Sequence, residues 1–416
     1  MNLDPGILAR TQFAFTVTFH IIFPTMSIGL AGFLAIVEGL WLKTKDEIYL
    51  QVYRFWLNIF AMGFGIGVVT GIVLSFEFGL GFARFAQFAG PAIGPLIAYE
   101  VLTAFFLEAG FLGIMLFGMH RVGKNLHFIS TCMVALGTLI SASWILSANS
   151  WMQTPDGVQM KDGKLVVINW WHVIHNPSWL YRLPHMIAAA YLTASFQMEA
   201  AEGFWEKQSS SPAPYYWLIV PDQKEQRNRF ALGTPYLGSI WLAHSIHGRG
   251  EGLKNTPREL QPRMAMVFYG FRVMYCIAIV MFGVACAGLW LRWKRRLFTT
   301  PWFLRVLVLM TPSGIFATLG GWYLAETGRQ PWVIFGMLRT VDAVSPVPAK
   351  TLLSTLIAFV CLYTLFMTAF LIFIGRIIKR GPQEIGTQVE TFSSLKHAFR
   401  LGVLDKKTLE STGGAR

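Results

Sequence analysis

Two carboxylates, Glu100 and Glu108, lie eight residues apart inside one unbroken apolar stretch, GPLIAYEVLTAFFLEAGFLGIMLFG. An ionised carboxylate at the centre of a bilayer costs at least about 2.5 kcal/mol, so such a residue is normally retained for a function. A third polar side chain, His20, is embedded in another apolar run, ARTQFAFTVTFHIIFPTMSIG. At 1.5 Å per helical residue it sits roughly 15 Å below the outer end of its segment. Two acidic groups on one helix beside a buried imidazole point to protons moving through a membrane toward a cofactor.

Further residues extend this chemistry. His185 opens a short apolar segment, YRLPHMIAAAY. A neutral imidazole in a membrane is a natural axial ligand for heme iron, although for an isolated histidine a satisfied hydrogen bond between helices is the default reading. Met274, in FRVMYCIA, is one of 17 methionines, and core filling is their default role. Arg272, two residues earlier, raises its interest, because a buried cation wants an anion such as a heme propionate. With His185 on another helix, Met274 would complete a six-coordinate, low-spin iron suited to electron transfer. In GWYLAETGRQPW, Glu326 and Arg329 are three apart on one helical face and can pair as ions. A structural cap and a cofactor site are both open there, and Gly328 and Pro331 end the helix. The other histidines (His120, His127, His172, His175, His244, His247 and His397) fall in loops, helix ends or the tail, where solvated surface is expected. His244 and His247 form a loose pair with no third metal ligand nearby.

The elements that must hold these residues are transmembrane helices. Of 416 residues, 54% are hydrophobic and only 14% charged, and the mean hydropathy is +0.48. Soluble domains carry about 25% charged residues, so this composition is that of an integral membrane protein. The net charge of +13 does not imply a nucleic acid, because the basic residues collect in loops and the tail. The four cysteines (Cys132, Cys276, Cys286, Cys361) lie in apolar stretches without metal-type spacing, and buried thiols without a disulfide are expected. The first apolar run is too long for a cleavable signal and reads as the first span.

A helix needs about 20 apolar residues to cross a bilayer. Seven stretches qualify, near 12–41, 53–78, 93–119, 126–149, 264–291, 302–325 and 351–375, and 183–198 is apolar but short. The expected fold is all-α, a polytopic helical bundle with seven clear spans and one short helix. It divides into an N-terminal bundle (1–198), an outer loop (199–263), a C-terminal bundle (264–380) and a polar cytoplasmic tail (381–416). Lys43, Lys45 and Arg54 mark one cytoplasmic loop, and Arg121 and Lys124 another. Arg292, Lys294, Arg295 and Arg296 mark a third, and Arg376, Lys379 and Arg380 put the C-terminus inside, with the N-terminus outside. The parity then fails, because 150–181 and 199–263 both fall outside while only 183–198 joins them. Either that segment is re-entrant or interfacial, or a helix is missing.

The stretches ARTQFAFTVTFHIIFPTMSIG, VVTGIVLSFEFG, YEVLTAFFLEAGFLG, SASWILSANSWMQTP, VPDQKEQRNRF, FRVMYCIA and GWYLAETGRQPW together resemble subunit I of the cytochrome bd-type quinol oxidases, in particular the short-loop, cyanide-insensitive branch. They run in family order from residue 9 to about 375. The resemblance implies a bacterial inner-membrane terminal oxidase without copper, oxidising ubiquinol or menaquinol and reducing dioxygen to water. It implies three hemes: a low-spin heme b, a high-spin heme b, and heme d or a second high-spin heme b. His20 and Glu326 match the axial ligands of the high-spin hemes, and His185 and Met274 those of the low-spin heme. Glu100 and Glu108 match an acidic pair that feeds protons to the oxygen site. Arg272 and Arg329 match basic residues near propionates, and Trp322 an aromatic near the hemes. The implied partners are an oxidase subunit II, a small single-helix subunit and membrane lipid, with no nucleic acid. Family members carry nine helices in this subunit. Here the text breaks off after Gln197 and resumes inside the quinol loop, where Glu202 matches a quinol-site glutamate but Gln197 stands at the position of its partnering lysine. Two other readings compete: a proton-coupled transporter without cofactor, and a truncated oxidase subunit that does not turn over.

Overall fold

A computed structural model of the chain describes residues 4–191, 204–205, 214–243 and 252–382. Among the described residues, seven helical segments are long and apolar enough to cross a membrane. The first two form an antiparallel pair, α1 (Pro5–Thr44) and α2 (Glu47–Gly81). Asp4 caps α1 by accepting the Gly6 amide at 2.8 Å, and Asp46 caps α2 by accepting that of Ile48 at 3.0 Å. Between them Lys45 turns left-handed (φ 60°) and returns its amide to the Trp41 carbonyl at 2.8 Å. Two polar residues thus reverse the chain.

Helix α3 (Ala83–Phe117) begins ten residues earlier than its apolar run predicts and contains a π-helical stretch, Thr103–Ala109. Glu108 lies in that stretch. Such insertions cluster at functional sites because they re-aim side chains within a helix. Helix α4 (Lys124–Gln153) packs along α1 and α3. The short segment is α5 (Trp179–Tyr191), and the C-terminal half contains α6 (Met264–Trp293), α7 (Pro301–Met310), α8 (Ser313–Gly328) and α9 (Ala349–Arg380). The expected continuous span 302–325 is therefore broken between α7 and α8. Pro312, which has no amide hydrogen, stands at the break, and the Ser313 hydroxyl closes it on the Met310 carbonyl at 2.6 Å. α6 and α8 meet through Gly270 and Gly320, where a Cβ on either would lie 2.9 Å from the other's carbonyl oxygen. Small residues let the two backbones approach this closely.

Among the described residues, three hairpins lie outside the spans: β1 (Val158–Lys161) with β2 (Lys164–Val167), β3 (Tyr215–Asp222) with β4 (Arg227–Thr234), and β5 (Trp332–Ile334) with β6 (Leu338–Arg339). The first turns on Asp162 and Gly163, both with positive φ, as a two-residue hairpin requires. Leu165 and Ile334 from these hairpins join Phe85, Leu96 and Trp151 in one core that closes one end of the bundle. A second core, with Leu34, Trp41, Phe60, Met115 and Val134, closes the other. Most of the surface of α6 and α9 is exposed and apolar, as a lipid-facing surface must be. This corrects the expectation for the cysteines: Cys276 and Cys286 on α6 and Cys361 on α9 are exposed and Cys132 is half-buried, and all four are free thiols. In a bilayer, apolar surroundings do not require burial inside the protein.

Candidate functional site

Between the two end cores lies a cavity of about 1030 Å³, at the upper limit of the usual size of ligand pockets. Its lining is mostly apolar, and six of the seven spans among the described residues, together with α5, contribute to it. His20 enters from α1, Glu100 and Glu108 from α3, Asn149 from α4, Arg182 and His185 from α5, Met274 from α6, and Trp322, Glu326 and Arg329 from α8 and its end. Residues scattered over 310 positions in the sequence therefore share one chamber.

The carboxylate of Glu326 is held on both sides. Asn149 donates its Nδ2–H to Oε1 at 2.9 Å, and Arg329 pairs with Oε2. Arg182 in turn donates to Asn149 Oδ1 at 2.8 Å. Two guanidinium groups thus surround one carboxylate, and Arg329 is only 4% exposed while its Nε and Nη1 have no hydrogen-bond partner. Buried donors left open in this way are rare and call for an acceptor. Glu108, 5% exposed, similarly leaves Oε1 unpartnered, while Glu100 accepts from the Ser141 hydroxyl at 3.2 Å. Its backing is tight: a Cβ on Gly137 of α4 would stand 2.7 Å from Glu108 Cγ. Met274 packs against Phe271 and Leu324 at the cavity wall. His20 Nδ1 lies 2.9 Å from the Thr70 hydroxyl of α2.

One expected residue stands elsewhere. Arg272 is not among the cavity's lining residues. Its Nε and Nη2 donate to the Tyr216 carbonyl of β3 at 2.8 and 2.5 Å, and its guanidinium lies 4.4 Å from the ring centroids of Tyr215 and Phe268. Its side chain ties the β3–β4 hairpin to α6, which a reading of neighbouring residues along α6 could not show. Glu202 lies outside the described residues, as do Gln197, His244, His247 and His397. Among the described residues no three His, Cys, Asp or Glu side chains group as a metal cluster.

Two carboxylates within the spans went unread although they meet the criterion applied to Glu100 and Glu108. Glu77, in LSFEFG of α2, is 2% exposed and bonded to Thr16 and, at 3.0 Å, to Gln12 Nε2 of α1. Glu38 of α1 is fully buried, with Oε1 2.6 Å from His127 Nδ1 and Oε2 accepting from the Thr131 hydroxyl at 2.5 Å. The expectation that His127 is solvated is thereby corrected. The first turn of α4 packs beneath α1 and α2, so a histidine near a helix end is completely enclosed. Asn149, Arg182 and Thr70 carried no signal of their own, since a single amide, arginine or threonine in an amphipathic or apolar helix is ordinary.

The arrangement can hold a large, flat, mainly apolar ligand carrying anionic side arms. Imidazole, thioether and carboxylate donors are available to bind it, with two acidic groups beside it. The family model described as cytochrome bd terminal oxidase subunit I matches the chain over residues 8–200 and 196–382. The two matches meet where the family pattern breaks off after Gln197. Cytochrome bd ubiquinol oxidase subunit 1 of Bacillus subtilis (strain 168) is 32% identical over 443 aligned positions, covering 91% of this chain and 94% of the relative. That alignment is longer than the 416-residue chain, so part of the relative has no counterpart here. Cytochrome bd-II ubiquinol oxidase subunit 1 of Escherichia coli (strain K12) is 26% identical, with 92% of this chain and 98% of the relative covered. The structure of bd oxidase from Geobacillus thermodenitrificans is similar at a TM-score of 0.82 and 27% identity, covering 91% of this chain and 99% of that one.

Proposed function

The chain belongs to the family of cytochrome bd terminal oxidase subunit I, and on that premise we propose which of its side chains carry the reaction. It is a membrane subunit of a terminal quinol oxidase. Oxidation of quinol releases electrons and protons, and reduction of dioxygen to water consumes both.

The chamber fits the hemes that the family implies. Its donors are those that ligate heme iron, and the open Nε and Nη1 of Arg329 suit a propionate. Bound hemes would supply electron storage and oxygen activation. In this reading His185 and Met274 would hold a low-spin heme b suited to electron transfer. His20 and Glu326 would hold the two high-spin hemes, one of type b and the other of type d or b, without copper. Asn149 and Arg329 orient the Glu326 carboxylate, and Trp322 would pack beside the hemes. Glu108 Oε1 takes and passes a proton, with Glu100 as its neighbour in the relay. Arg272 acts at one remove by fixing the outer hairpin to the Met274 helix.

The basic loops put the C-terminal tail (381–416) on the cytoplasmic side of a bacterial inner membrane and the N-terminus outside. Quinol, either ubiquinol or menaquinol, then binds at the outer loop 199–263 between the bundles 1–198 and 264–380, with Glu202 as the proton acceptor. The apolar lateral surface is left for lipid, a subunit II and a small single-helix subunit.

One observation carries this reading. A single cavity gathers His20, His185, Met274, Glu326, Glu100 and Glu108, with polar atoms left open in it. Pyridine hemochrome analysis and visible spectra of the purified complex test it. Bound porphyrin is expected, with His185→Ala removing only the low-spin b signal and His20→Ala disturbing a high-spin centre and stopping oxygen uptake. A complex free of porphyrin, as a cofactor-less transporter would be, overturns the proposal. Fewer than three hemes together with no quinol-dependent oxygen uptake would instead mark a truncated subunit.

A further inference from the structure

We infer that Thr70, with Gly71 beside it, is the positioning pair that fixes the tautomer and ring angle of His20. The inference rests on the proposed role of His20 as an iron ligand. Thr70 is fully buried in the interior of α2, in the stretch VVTGIVLSFEFG. Its hydroxyl lies 2.8 Å from the Ile66 carbonyl and 3.1 Å from that of Gly67, one turn back on its own helix. A threonine has one hydroxyl proton, and back-bonding to a helix carbonyl uses it. The same oxygen is 2.9 Å from His20 Nδ1, so its remaining lone pair faces the ring. Nδ1 must therefore carry the proton and donate it. Of the two ring nitrogens in a neutral imidazole only one is protonated, so Nε2 keeps its lone pair. His20 lines the cavity, and its free base is the atom available to a metal there.

Gly71, the next residue of the same helix, limits the ring's position at Cε1. A Cβ at this residue would lie 3.2 Å from His20 Cε1 and 3.8 Å from Nε2, tighter than ordinary packing at the first contact. α2 thus presents a hydrogen-bond acceptor and, at the next residue, an absence of side chain, and α1 supplies the imidazole that meets both. An outer partner of this kind raises ligand basicity and holds its plane, and its loss typically costs 10–100-fold in metal affinity or activity, roughly.

The test uses the intact membrane complex and three variants. Thr70→Val keeps the shape and removes the acceptor, Thr70→Ser restores the hydroxyl, and Gly71→Ala keeps the hydroxyl but crowds the ring. The readouts are the iron–imidazole stretching band in resonance Raman spectra of the reduced complex, and high-spin heme retained after a denaturant challenge. Thr70→Val is expected to move the stretching band to lower frequency and to weaken retention by about 10–100-fold. Thr70→Ser should return both toward the parent values. Gly71→Ala should shift the band without abolishing it. If Thr70→Val leaves band and retention unchanged while His20→Ala loses a high-spin heme, the positioning role is wrong and the ligand assignment stands. If His20→Ala keeps every heme, the ligand assignment itself fails and this inference falls with it.

Discussion

Two buried polar regions share α1, α3 and α4, and they differ in one respect. In the cluster around Glu38 every polar side-chain atom is paired. His127 Nδ1 faces Glu38 Oε1 at 2.6 Å, Thr131 donates to Oε2, Tyr53 OH lies 3.0 Å from Thr131 Oγ1, and His127 Nε2 reaches the Met115 carbonyl at 3.1 Å. A carbonyl only accepts, so Nε2 carries a proton, and one further proton lies between Nδ1 and the carboxylate. The pair is neutral as a unit wherever that proton sits. In the cavity, Glu108 Oε1 and Arg329 Nε and Nη1 have no partner at all. A satisfied buried network rigidifies the bundle, whereas an unsatisfied one is waiting for a ligand or a proton. The first region is therefore a clasp joining α1, α2, α3 and α4, and the second is where chemistry is expected.

The largest effect should come from breaking the clasp. Glu38→Ala leaves His127 enclosed without its partner, and stability should fall by about 3–5 kcal/mol. Thermal unfolding of the detergent-solubilised complex measures it. Should Glu38→Ala instead stay stable and lose turnover, the contrast between the regions collapses.

In the cavity the order of effects reverses. Glu108→Gln removes the proposed proton carrier, whose Oε1 makes no bond, so unfolding temperature should scarcely move while quinol-dependent oxygen uptake falls at least about 100-fold. Equal losses of stability in the two variants would show that open valences in the cavity do not distinguish function from structure.

A smaller change sharpens the packing side of the argument. Gly137→Ala drives a methyl group to 2.7 Å from Glu108 Cγ. Overpacking of this kind costs about 1–3 kcal/mol, and the displaced carboxylate should also slow oxygen uptake. Retention of full activity would mean that the Glu108 position is not set by α4.

The smallest effect lies outside the spanning helices and serves as a contrast to both regions. The Asp222 carboxyl is held below its usual range, first by the Glu225 amide, then by the Arg229 guanidinium 2.6 Å away and the Lys224 amide. A depressed carboxylate stabilises the fold above its unfolded pKa and loses that contribution as pH falls through the folded value. Amide exchange in the β3–β4 hairpin should therefore quicken on acidification. Asp222→Asn should be already fast and insensitive to pH in that range, and a parent-like acid response in that variant would reassign the effect.

Much of the bundle was legible because crossing a bilayer is a matter of length and polarity. Seven apolar runs gave seven spans, and the charge parity failed at the place where the two family matches meet, near 196–200. Legibility ended where a residue's meaning depends on its neighbours. Glu38 and Glu77 satisfied the same rule as Glu100 and Glu108, yet only packing tells which of the four finds all its partners. His127 looked solvated from its place near a helix start, and the thiols of α6 and α9 looked buried from their apolar surroundings.

The order of spans, their approximate bounds and the presence of carboxylates and imidazoles within them follow from the amino-acid sequence alone, because the cost of placing charge in hydrocarbon is local to each segment. Which of those groups face one chamber, which are closed off in a clasp, and that Arg272 holds a hairpin were decided only by the tertiary structure. The reason is physical: hydrogen-bond satisfaction depends on side chains from other helices, and pairs such as His20 with Thr70 or Asn149 with Glu326 are 50 and 177 residues apart along the chain.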